Sequence, residues 1–66
     1  MFNKVYKVHG WKIQNKKHAK IVPTTICVKA LNEVQAIQKA KTYMAVGSCK
    51  LTFNPLDWAE AKHFSI

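Results

Sequence analysis

Sixty-six residues with eleven lysines, no arginine and three acidic residues carry a net charge of +8, and they suffice for a single domain, 1–66, that buries only about 60% of its unfolded surface. A hydrophobic content of 48% excludes a disordered tail, and no apolar run approaches the roughly 20 residues that span a bilayer. Three carboxylates and two glycines leave no visible acid–base pair and no glycine loop to cradle a phosphate, so no enzyme and no cofactor is expected.

Phe2–Ile13 is predicted to form a first strand. Tyr6 and Val8 share a face. Trp11 and Ile13 continue that face if Gly10 marks a bulge, which makes Trp11 core and sends Lys7, His9 and Lys12 to the opposite side. Without the bulge, Trp11 joins Lys7, His9 and Ile13. The polar tract Gln14–His18 suits a hairpin loop. Lys20–Ala30 is predicted as a second strand, with Val22, Thr24, Ile26, Val28 and Ala30 alternating and Pro23 fitting an edge position or a place near the strand's start.

The next segment carries the strongest local signal. Asn32 suits an N-cap, Gln35 completes a capping box and Leu31 can staple onto Ala36. Val34, Ile37, Ala40 and Met44 form the expected apolar stripe, and Gly47 is a plausible C-terminal stop. Cys49–Phe53 is predicted as a third strand with Cys49, Leu51 and Phe53 on one face. Asn54-Pro55 then starts a short helix over Leu56–Lys62, with Asp57 in its first turn. The last residues, His63–Ile66, are a tail or a fourth strand. The expected fold is α+β, a small two-layer sandwich. An antiparallel sheet of three strands (ββαβ) carries one packed helix and a short C-terminal helix or strand.

Charge is segregated along the chain. Lys4, Lys7, Lys12, Lys16, Lys17, Lys20 and Lys29 precede the first acid, Glu33. Such a field attracts a polyanion or an acidic protein surface. The candidate contact surface is a basic hairpin: Lys7, His9 and Lys12 on the strand, Lys16, Lys17 and His18 in the loop, and Lys20 beyond it. A two-stranded ribbon fits a major groove. Trp11 and Tyr6 can stack on unpaired bases if they face outward. Lysine without arginine favours contact with phosphates over reading of base edges. Lysines also simply solvate the open side of a one-faced sheet, and either tryptophan can be core; Trp58, in a short terminal helix, is the alternative interface anchor. Cys27 and Cys49, 22 residues apart, are read as free thiols. With His9, His18 and His63 they lack the close pairing of metal ligands, so no metal is expected.

The order of two lysine-rich strands, a capped helix and a return strand resembles the sheet-plus-helix DNA-binding arms of some phage-type recombinases over roughly the first 45 residues. That resemblance implies contact with nucleic acid through the sheet, although the arginines usual at that sheet face are missing. Two functions remain open. One is a small basic protein contacting nucleic-acid phosphates, DNA or RNA, through the hairpin. The other is a phage- or mobile-element-type inhibitor or adaptor docking its basic and aromatic surface on an acidic host or toxin protein. The small size also permits a homodimer. The amino terminus lacks an apolar signal core, so a cytoplasmic protein without membrane contact is expected.

Overall fold

The computed structural model describes residues 4–13, 17 and 20–61. It contains strands β1 (Lys4–Ile13) and β2 (Ile21–Ala30), helix α1 (Glu33–Lys41), strand β3 (Ala45–Thr52) and helix α2 (Pro55–Glu60). The strands form one antiparallel sheet in the order β2-β1-β3. This is the expected three-stranded α+β fold, with a helix at the carboxyl end. Of the expected loop only Lys17 is described; the Lys16 and His18 positions and the 63–66 tail lie outside the described residues. No helix among them is long and apolar enough to cross a membrane.

β1 pairs with β2 without interruption, from Lys4 opposite Ala30 to Ile13 opposite Ile21. Its pairing with β3 shifts once. His9 faces Ser48, but Gly10 faces Val46, so Gly47 is the extra residue. The bulge therefore belongs to β3 and not to Gly10 of β1. Two expectations change as a result. Trp11 keeps strict alternation and stands with Lys7 and His9 on the face away from the core. Gly47 does not stop α1 but lies inside a third strand that starts at Ala45, four residues earlier than Cys49.

The core sits between the sheet and α1. Tyr6, Val8, Ile26, Val28 and Ala30 of the sheet cluster with Ala36, Ala40 and Met44. Asn32 caps α1 as the sequence implies: its Oδ1 accepts from Gln35 N at 2.8 Å, and Gln35 Oε1 accepts in return from Leu31 N at 2.7 Å. The buried positions of α1 are Ala36, Lys39 and Ala40, while Val34 is exposed. The helix is thus turned from the expected stripe. Two alanines one turn apart allow a close approach to the sheet. Lys39 lays its stem along the interface and donates from Nζ to the Lys29 carbonyl at 2.9 Å, a typical way to bury a lysine stem while satisfying its head.

Gly10 is required by close approach. A Cβ there would overlap the Ala45 carbonyl and meet the Met44 Cε at 2.6 Å. Backbone on the central strand cannot step aside as a surface side chain would. Gly10→Ala is therefore expected to lower stability by about 3 kcal/mol, most of what a domain of this size has. Urea titration followed by circular dichroism checks this; a midpoint equal to that of the parent would contradict the packing described at the β1–β3 crossing.

Candidate functional site

α1 covers one face of the sheet, and the other face is divided in two. From β1 it presents Val5, Lys7, His9, Trp11 and Ile13. Their partners across the sheet include Lys29, Cys27, Thr25, Pro23 and Ile21 on β2, and Thr52, Lys50 and Ser48 on β3.

The half near Val5 is capped by α2, which contacts β1 and β2. Val5 and Cys27 are buried there, outside the main core cluster. The local sequence builds this cap. Asn54 Oδ1 accepts from Leu56 N at 2.9 Å, with Pro55 at the first helical position. Thr52 Oγ1 donates to Asp57 Oδ2 at 2.7 Å, and Trp58 Nε1 donates to the Thr52 carbonyl at 2.9 Å. Asp57 also approaches Lys7, Nζ to Oδ1 3.8 Å; with Lys7 well exposed, this pair adds little stability. A cleft of about 590 Å³ remains between α2 and the sheet, bordered by Lys7, Thr25, Cys27, Asp57 and Glu60. Burial pushes the Cys27 thiol above its ordinary 9.0, and the Asp57 charge adds to the rise while Lys7 opposes it. Burial likewise raises Cys49. Both cysteines are free, and alternation puts them on opposite faces of the sheet. A protonated, shielded thiol is a poor nucleophile and a poor metal ligand. Among the described residues, no group of three potential ligands is placed to hold a metal.

The other half is open. His9 Nδ1 and Thr25 Oγ1 share a hydrogen bond of 2.8 Å. Trp11 is 48% exposed, Ile13 67% and Ile21 64%. The indole has its benzo edge over Gly47, and a shallow hollow of about 340 Å³ runs beside it past His9, Pro23 and Ser48. Lys7 faces Lys50 directly across β1 and β3, a like-charge pair whose repulsion Asp57, beside Lys7, partly offsets.

The structure thus brings together Lys7, His9 and Trp11 but separates the rest of the expected basic hairpin. Lys12 lies on the α1 side, its Nζ 3.9 Å from the Tyr43 ring centroid, because β1 alternates without the extra residue. Tyr6 shares the core face with Val8, is 6% exposed and offers no stacking face. Lys17 and Lys20 are exposed; Lys16 lies outside the described residues. Trp58 is partly exposed, yet its indole N–H is committed to Thr52, so it holds α2 down. Lys50 and Gly47 belong to this face and were missed. The polar half of the alternation Ser48, Lys50, Thr52 was the available signal.

Removing the Trp58 N–H should release α2 without unfolding the sheet. Trp58→Phe is expected to cost no more than about 1 kcal/mol and to speed alkylation of Cys27 severalfold at pH 8, because burial and the Asp57 charge both leave with the helix. Mass-spectrometric alkylation rates decide this; an unchanged Cys27 rate would mean that α2 is not what shields the thiol. In comparisons with known proteins, no family model, no curated protein and no solved structure matches the chain.

Proposed function

We propose that this chain binds nucleic acid, and that the contact is made by the helix-free face of the sheet. The observation that carries the reading is the division of the sheet. One face is closed by α1, and the other keeps two directly opposed lysines, Lys7 and Lys50, beside an exposed tryptophan in a chain of charge +8. Lys29 on β2, opposite Val5, extends the same side. A repeating anion relieves what Asp57 leaves of the Lys7–Lys50 repulsion and pairs with the lysines of this face. Lysine is a flexible point charge, so the contact follows phosphates with little selectivity for base sequence.

A protein partner is the second reading. The exposed Trp11, Ile13 and Ile21 would also anchor an acidic protein, as an inhibitor or adaptor requires. Copurification with nuclease treatment separates the two, since a protein complex survives it.

The placement of the lysines limits the size of the electrostatic effect. All seven early lysines acting together on a duplex would give a log–log salt slope near −6. Lys4 and Lys12 alternate onto the α1 side, and the lysines that the register places on this face are Lys7, Lys29 and Lys50, so the slope on a single strand is expected near −2. Lys7→Gln or Lys50→Gln should each flatten it by about 0.7, whereas Lys41→Gln, on the exposed side of α1, should not. Anisotropy titrations over a salt series provide the measurement. A flat salt response, or equal effects of the Lys41 and Lys50 changes, would remove this reading.

A further inference from the structure

Along β1 the open face changes character. At the α2 end it is cationic, with Lys7 opposite Lys50. Four residues on, about 13 Å along the strand, it is apolar: Trp11 stands between Pro23 on β2 and Ala45 on β3, with the Ile13–Ile21 pair next to it. An apolar, aromatic stretch thus adjoins a cationic one on the same face. Asp57 and Glu60, on α2, border the Lys7 end of this face, while the hollow beside Trp11 has no carboxylate in its lining.

Trp11 is also held in place. A Cβ on Gly47 would come within 2.9 Å of the indole Cη2 and 3.0 Å of Cζ3. The ring therefore rests against bare backbone at the β3 bulge, and the missing side chain is what lets it lie there. Its flanking partners, Pro23 and Ala45, are short. The hollow beside it has His9 and Ser48 on its rim, two side chains able to meet the polar edge of a flat ligand.

Building on the nucleic-acid reading above, we infer that this stretch takes an unpaired nucleobase, stacked on Trp11, while the neighbouring phosphates lie towards Lys7 and Lys50. A duplex keeps both faces of every base occupied. It would set phosphates against Trp11, Ile13 and Ile21 and strip their water with nothing in return. An unpaired strand supplies what this face lacks, a π surface next to charges, and stacking on an aromatic side chain is tolerant of base identity. The expected ligand is single-stranded DNA or an unpaired stretch of RNA, held with little sequence preference.

The test uses the full chain and three ligands of about 15 nucleotides: oligothymidylate, an abasic strand of equal charge, and a duplex containing the same thymidylate tract. Oligothymidylate is expected to bind about tenfold more tightly than the abasic strand. Trp11→Ala should erase that ratio while the abasic strand keeps its affinity; Trp11→Phe should preserve most of it. Gly47→Ala, which pushes the ring off its seat, should reduce it. Equal affinity for the thymidylate and abasic strands, a ratio that survives Trp11→Ala, or a preference for the duplex would overturn the inference and leave the nucleic-acid reading standing. Absence of salt-dependent binding to any of the three would remove both and point to a protein as the occupant of this face.

Discussion

β1 is the central strand of a three-stranded sheet, and its side chains alternate without a break from Lys4 to Ile13. Both edge strands are registered on it, so the parity of each β1 residue determines what faces α1 and what faces away. Tyr6 and Val8 are committed to the core, and Lys7, His9 and Trp11 to the other side. A one-residue slip would exchange these two sets. It would bury a lysine, a histidine and a tryptophan against Ala36 and Ala40, where only small side chains fit. The close approach at Gly10, which admits no Cβ beside the Ala45 carbonyl, pins the crossing of β1 with β3. The irregularity needed there is absorbed by Gly47 on the edge strand, where an unpaired residue costs least.

That parity creates the asymmetry of the molecule. α1 closes one face with a core of small and medium residues. Among the described residues the other face is covered at one end, by a six-residue helix with no buried residue of its own. α2 stays in place through polar contacts centred on Thr52, whose hydroxyl and carbonyl engage Asp57 and Trp58. Two of the chain's three acids thus sit at the cationic end of the open face, next to Lys7. Asp57 offsets part of the Lys7 charge there, and Lys50 and Lys29 supply the rest of the positive charge on this side.

Much of the architecture is legible in the sequence because it is encoded locally. Asn32 with Gln35, and Asn54-Pro55 with Asp57, announce the two helix starts through side chains that bond their own backbone. The alternating β-branched run of β2 reads as a strand by itself, and Pro23 correctly marks it as an edge. The open face was harder to read because it depends on pairing. Gly10 and Gly47 are both plausible bulge sites, and only the register between β1 and β3 decides between them. Assigning the bulge to Gly10 carries Trp11 inward and Lys12 outward. Val34 fits a helical stripe by spacing, but the fit of α1 to the sheet is decided by how closely Ala36 and Ala40 can approach. Lys50 falls inside the expected strand Cys49–Phe53, but its place opposite Lys7 follows only from the pairing of β3 with β1.

The placement of Trp11 is the point on which the functional account turns, and proton NMR of the unmodified chain tests it directly. Nuclear Overhauser contacts are expected from the Trp11 benzo-ring protons to the Gly47 α-protons, with none to the methyl groups of Ala36, Ala40 or Met44; the Tyr6 ring should show contacts within that α1 cluster. Contacts from the Trp11 ring to those α1 methyls, with Tyr6 in solvent, would reverse the parity of β1 and contradict the account.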